Sequence, residues 1–224
     1  MVYDFHTHSF LSDGELSPVE LIRRAIVQGY RVIAVTDHVG PGNMERVINE
    51  LITECKVANS YWKINAIPGV ELTHVPAGSI DDLAKKARDF GAKLVVVHGE
   101  TLVEPVEPGT NLAAVSSQWV DILAHPGLLG IKEAELAVKN GVFLEITARG
   151  GHNVANGHVA KIGKKLNTKF LVNSDTHAPE NLLSDEWAHT VALGAGFEPD
   201  EVEKILLENP LQLLHKIESR DAEP

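Results

Sequence analysis

Short apolar, β-branched runs alternate along the chain with stretches whose apolar residues recur at helical spacing. The runs are Val2 to Phe5, Val32 to Val35, Ile64 to Val70, Lys93 to Val97, Val120 to Leu123, Val142 to Ile146 and Lys169 to Val172. They read as strands. After the first run, Ser17 stands as an N-cap, Pro18 at the first helical position and Glu20 three residues past the cap. Val19, Leu21, Ile22, Ala25 and Ile26 then follow helical spacing, and Gly29 suits the end. Further helices are predicted over about 43–59, 79–90, 110–118, 131–140, 154–166 and 199–208. Asp200 and Glu201 fall in the first turn of the last, where the helix dipole favours them. This β-α rhythm predicts a parallel α/β fold, either an open sheet or a barrel. No linker or low-complexity tract divides the chain. One domain is expected over residues 1–217, with a frayed polar tail over 218–224.

Composition narrows the function. The chain has 224 residues, 44% hydrophobic and 23% charged, enough for a sizeable core. Cys55, the single cysteine, rules out an internal disulfide and a cysteine zinc cluster, so any metal must be held by histidine and carboxylate. It sits mid-helix and reads as inert. A reducing, cytoplasmic setting fits. Lys plus Arg number 20 against 31 Asp plus Glu, a net charge of -11, and such a surface repels long nucleic acid. No apolar stretch approaches the length of a membrane span, and no signal peptide is read.

The chemistry lies at the strand ends. The first strand runs into His6 and His8, with Asp13 in the next loop. The second runs into Asp37 and His38, the third into Glu71, the fourth into His98, the fifth into His125 and the seventh into Asp175 and His177. The sixth carries Glu145, followed by Arg149 and His152 in the next loop. Six of the 11 histidines thus follow strands, whereas histidines placed for solubility would scatter over helix faces. In a parallel β-α barrel all strand C-termini open on one face, where the loops build the active site. Those six histidines with Asp13, Glu71 and Asp175 make nine ligand candidates, more than the about four that one zinc takes, so two or three divalent ions are expected. Glu71, alone at its strand end, is the choice for a bridge between ions. Three divalent ions against three carboxylates leave a positive site, which wants an anion such as a phosphate ester. Two ions about 3.5–4 Å apart polarise phosphoryl oxygens and generate hydroxide near neutral pH, a nucleophile that needs no serine or cysteine.

The motifs His-Thr-His, Ser-Asp-Gly, Thr-Asp-His, Gly-Val-Glu, Ala-His-Pro and Ser-Asp-Thr-His, with a strand ending in His98, resemble the polymerase and histidinol phosphatase (PHP) family over about residues 1–210. The resemblance implies a distorted seven-stranded, TIM-like (β/α)7 barrel and a metal-dependent phosphoesterase. It implies that His6, His8, Glu71 and Asp175 hold one ion, and that Asp13, His38 and His177 hold a second. His98 and His125, sharing Glu71, would hold a third. Mixed His and carboxylate ligation suits Zn, Mn or Fe. Arg149 is the candidate for a phosphate oxygen and His152 for the proton donor to the leaving alcohol. Asp4 and Asp37 are candidates for orienting the imidazoles. His74, His158, His189 and His215 read as structural, and Trp62, Trp119 and Trp187 as core or rim.

The leading expectation is a phosphatase of small phosphomonoesters, with histidinol phosphate the named substrate. A nucleotide phosphatase or a 3′–5′ exonuclease is the alternative. A non-catalytic scaffold like the barrel-shaped protein of ribonuclease P would tolerate missing ligands and prefer a basic surface. A metal-dependent amidohydrolase commonly bridges its ions with a carboxylated lysine, and Lys93 precedes its strand and is badly placed for that.

Overall fold

The computed structural model describes residues 1–221. Its strands are β1 (Val2–Asp4), β2 (Tyr30–Val35), β3 (His38–Val39), β4 (Asn65–Leu72), β5 (Leu94–His98), β6 (Ile122–Ala124), β7 (Phe143–Thr147) and β8 (Phe170–Asn173). Its helices are α1 (Pro18–Val27), α2 (Met44–Tyr61), α3 (Ile80–Asp89), α4 (Thr110–Ser116), α5 (Ile131–Asn140), α6 (Asn156–Lys164), α7 (Asp185–Gly194), α8 (Pro199–Glu203) and α9 (Asn209–Asp221). All strand pairings are parallel, in the order β1-β2-β4-β5-β6-β7-β8, with the two-residue β3 beside β4. Of the two arrangements the sequence left open, the chain takes the barrel. Thr7 and Thr176 form a parallel bridge that ties the segment after β1 to the segment after β8.

Two apolar layers hold this shape. Outward-facing strand residues such as Ile33, Val35, Val95 and Leu144 pack against Leu21, Ile22, Ile48, Leu51 and the other helix faces. Inward-facing Phe5, Val32, Ala34, Leu94, Val96, Ile122, Phe143 and Leu171 fill the barrel with Leu213 and Ile217 of α9. That helix is pinned at the N-terminal ends of the strands. Arg220 and Lys216 ion-pair with buried Asp121, which precedes β6, and Lys216 donates to the Gly141 carbonyl before β7. With α9 across one end, the strand C-termini form the opposite mouth.

Two expectations about the last third are corrected. The helix α7 was not anticipated, although Ser184 caps it by accepting from Trp187 N at 3.0 Å. Its buried face is carried by Ala188 and Ala192, an apolar stripe too small to stand out. The helix expected over 199–208 continues instead to Asp221, through a π-helical turn at Lys204–Glu208. Asn209-Pro210 reads as a stop because proline lacks the N–H that an α-helix needs, and the wider π-turn accommodates it. Residues 218–221, expected to fray, are therefore helical; the rest of the expected tail, 222–224, lies outside the described residues.

Candidate metal centre

The His-Thr-His segment shows how local sequence builds the mouth. The strand ends at Asp4, and past it Phe5, His6 and His8 all face inward, while Thr7 between the histidines turns away and donates to the Ala34 carbonyl at 2.7 Å. Ser174 and Thr176 do the same on the other side of the seam, with their hydroxyl oxygens 2.5 Å apart. Among the described residues, three of the four non-glycine positions with positive φ fall at the site: His74 (φ 51°), His125 (φ 25°) and Asp175 (φ 53°). Glycine permits the neighbouring loops to approach. A Cβ on Gly99 would meet the Ala124 carbonyl oxygen at 2.2 Å, and one on Gly127 would meet that of Glu100 at 1.9 Å.

All eleven residues singled out from the sequence converge here. A cavity of about 240 Å³ is lined by Asp13, His38, His98, His125, Arg149, His152, Asp175 and His177, together with Thr73, His74 and Glu104. His6, His8 and Glu71 are buried behind it. Glu71 lies among imidazoles: Oε1 is 3.3 Å from His6 Nε2 and 3.6 Å from His125 Nε2, and Oε2 is 2.6 Å from His38 Nδ1. Asp175 Oδ1 lies 3.3 Å from His8 Nε2. Asp13 Oδ1 lies 3.4 Å from His38 Nε2 and 3.3 Å from His177 Nε2.

The imidazoles are oriented as ligands. His6 Nδ1 donates to Glu145 Oε2 at 2.7 Å, and His177 Nδ1 to the Asp175 carbonyl at 2.9 Å. His98 Nδ1 donates to the Gly99 carbonyl at 3.2 Å. Each bond leaves Nε2 facing the cavity with its lone pair. Glu145 is thus a positioning residue to which the sequence reading gave no role. Asp4 and Asp37, expected to orient imidazoles, instead hold backbone. Asp4 accepts from Tyr30 OH, Ser174 N and His6 N, and Asp37 accepts from Ser9 and Ser12.

Several buried donor atoms have no hydrogen-bond partner: His6 Nε2, both nitrogens of His8, Glu71 Oε1 and His125 Nδ1. Each such atom costs about 1–3 kcal/mol if left unsatisfied. A bound cation would satisfy those that face the centre. Burial, reinforced by the neighbouring imidazoles, keeps the pKa values of His8 and His125 well below normal, so both are neutral, the form that binds metal. Burial also opposes a charge on His38, but Glu71 and Asp13 outweigh it and push its pKa up to about 10. Without metal, then, a proton stands between His38 and the carboxylates where a divalent ion would otherwise sit. Burial pushes Asp175 up to about 7, with Glu71 and Glu145 adding to the rise against His6. The residues present fit divalent cations.

Four groups could hold a cation, each with one ligand atom per residue and all its atoms within 4.8 Å of one another: His8, Asp13, His38 and His177; His6, Glu71 and His125; His6, His8 and Asp175; and His74, His98 and Glu104. The first contains the second ligand set implied by the resemblance. The rings of His98 and His125, which the resemblance put on one ion, have their centroids 4.4 Å apart. His74, read as structural, belongs to the mouth, 3.0 Å from Glu104 Oε2. Glu104 carries no motif in the sequence; only the loop after β5 brings it in.

A parallel β/α barrel whose mouth gathers histidines and carboxylates fits a metallohydrolase. The PHP domain model matches residues 4–100, and the chain belongs to the PHP family. It is 51% identical to the uncharacterized protein MJ1295 of Methanocaldococcus jannaschii, over 97% of this chain and 100% of that one. It is 27% identical to a probable phosphatase of Thermoanaerobacter sp. (strain X514), over 90% of this chain and 89% of the other. Among solved structures, a chain of archaeal ribonuclease P with mature tRNA superposes with a TM-score of 0.67 at 18% identity, covering 95% of this chain and 89% of that one. A candidate histidinol phosphatase, hisK of Listeria monocytogenes, gives 0.62 at 11% identity, covering 80% of this chain and 97% of the other. At these identities the superpositions show the fold alone. Among the described residues no helix is long and apolar enough to cross a membrane.

Proposed function

We propose that the chain is a metal-dependent phosphoesterase acting on a small phosphomonoester, with histidinol phosphate the leading candidate. The observation that carries this reading is the set of buried, unpartnered donor atoms of His6, His8 and Glu71 behind one cavity. A scaffold has no use for such atoms, and each would destabilise it. His6, His8, Glu71 and Asp175 would hold one ion, and Asp13, His38 and His177 a second. Bound divalent ions would supply Lewis acidity toward phosphoryl oxygens and a nucleophilic water.

The chain's own groups then do the rest. Arg149 lines the cavity and donates to the Asp175 carbonyl at 3.4 Å, with the remaining guanidinium N–H groups available to a phosphate oxygen. His152 lies 3.3 Å from Glu104 Oε1. Burial lowers its pKa, though Glu104 works the other way. A phosphate dianion in the cavity would act as Glu104 does and raise His152 toward the range a proton donor needs. The cavity volume of about 240 Å³ suits a phosphoryl group and part of a small leaving group.

The test is phosphate release by purified protein from histidinol phosphate, nucleotides and sugar phosphates, alongside a 3′-labelled oligonucleotide. Metal content is measured on the same sample. Release from histidinol phosphate that stops with chelator is expected. Shortening of the oligonucleotide in place of phosphate release would replace this reading with the exonuclease, and metal-free protein would end both.

A further inference from the structure

Residues 99–109, between β5 and α4, carry three glutamates, and two of them hold the loop itself. Glu100 Oε1 accepts from the backbone N–H groups of Gly109 and Asn111. Glu107 Oε2 accepts from Ala77 N, which ties the loop to the one after β4. Glu104, between them, faces the mouth and lines the same cavity as Arg149 and His152. Its Oε1 lies 3.3 Å from His152 Nε2, and its Oε2 lies 3.0 Å from His74 Nε2 and 3.2 Å from His98 Nε2. The side chain keeps 37% of its surface exposed.

Apolar side chains stand beside this carboxylate. Val103 lies against the loop after β7, because a Cβ on Gly151 would sit 3.8 Å from both Val103 methyl carbons. Leu102 and Val103 are 52% and 53% exposed, and Val154, three residues past Gly151, is 66% exposed. A phosphate dianion held by cations and Arg149 gains nothing from a carboxylate next to it. Repulsion there is a cost unless the carboxylate meets a positive charge. His152 accounts for Oε1. Once His98 Nε2 is a metal ligand, Oε2 is left with partly exposed His74. A rim carboxylate with one oxygen so freed, next to exposed apolar side chains, matches a leaving group that carries a positive charge on an apolar body.

We propose that Glu104 selects the substrate by pairing with a cationic nitrogen on the leaving alcohol, while Leu102, Val103 and Val154 cover its apolar part. The substrates of this chain are then phosphomonoesters of apolar amino alcohols. The inference rests on the phosphoesterase reading above and narrows it, since histidinol phosphate is such an ester and sugar phosphates and nucleotides are not. It leaves His98 beside His125 in the inner cluster.

The test compares phenylalaninol phosphate with 3-phenylpropyl phosphate, which differ only in the ammonium group. Both are assayed for kcat and KM on metal-loaded wild type, Glu104→Gln and Glu104→Asp. Wild type is expected to favour the amino alcohol ester by about 10- to 100-fold in kcat/KM, carried by KM, the range for a charge-assisted hydrogen bond. Glu104→Gln should bring that ratio near one, and Glu104→Asp, which keeps the charge, should retain most of it. The braces made by Glu100 and Glu107 are untouched in both variants. Any loss that acts through His152 falls on both esters and cancels in the ratio. A wild-type ratio near one overturns the proposal, as does a Glu104→Gln ratio equal to wild type; in either case the phosphoesterase stands. Phosphate release from sugar phosphates or nucleotides but from neither ester also overturns the proposal alone. Release from no phosphomonoester overturns both readings.

Discussion

Glu145→Gln is the most informative perturbation of the centre, because the surroundings of Glu145 admit a carboxylate and no amide. The side chain is fully buried on β7. Oε2 accepts from His6 Nδ1 at 2.7 Å and from Asn173 Nδ2 at 2.9 Å, and Oε1 accepts from His125 N at 3.2 Å. Donors thus face both oxygens. An amide must turn its NH2 toward one of them in either orientation. If it faces His125 N, one buried N–H loses its acceptor. If it faces His6 and Asn173, the imidazole must move its proton to Nε2, the nitrogen that points at Glu71. The first orientation costs about 1–3 kcal/mol for the unsatisfied donor. The second removes His6 from the ligand set. Loss of a carboxylate behind a metal-ligating histidine typically weakens binding by about 10- to 100-fold. Glu145→Gln is therefore expected to bind its tightest Mn²⁺ about 10- to 100-fold more weakly, with phosphatase activity restored by excess metal. Calorimetric titration and phosphate release against metal concentration measure both. Wild-type affinity in the mutant would refute the claim that Glu145 sets the tautomer of His6.

Glu71→Gln removes the charge that His6, His8, His38 and His125 face, so turnover should fall by at least about 100-fold with far-UV circular dichroism unchanged; wild-type turnover would exclude Glu71 as a bridge. Arg149→Ala should raise KM by about 10- to 100-fold, as expected for a charged hydrogen bond of about 1.5–3 kcal/mol, and an unchanged KM would place Arg149 outside the substrate site. Asp121→Ala removes the buried carboxylate that pairs with Arg88, Lys216 and Arg220 at the closed end of the barrel and should cost about 3–5 kcal/mol in denaturant unfolding. Burial alone would raise the pKa of Asp121, but Arg88 and the two α9 cations hold it well below normal. Its contribution is therefore full above the unfolded value of about 4 and is lost as pH falls below it. Wild-type stability should drop more steeply than that of Asp121→Ala on acidification below about pH 4, and parallel curves would refute the role.

The sequence by itself determined the strand and helix rhythm, the parallel sheet and the strand-end histidines and carboxylates. These are legible because alternation on a strand and helical spacing are local, and because every ligand candidate but Asp13 closely follows a run that reads as strand. What only the tertiary structure decided is closure and company. Thr7 meets Thr176 across the whole chain, which makes a barrel from a pattern equally suited to an open sheet. Glu104 joins His74, His98 and His152 at the mouth because the loop after β5 folds back over it, held by Glu100 and Glu107. Asp37 holds a loop backbone in place of an imidazole, and the helix passes Asn209-Pro210 by way of a π-turn, with Asn209 donating to the Phe170 carbonyl on β8. Each of these turns on which groups lie within about 3 Å after folding. That is a property of loops and packing, whose course no residue periodicity encodes.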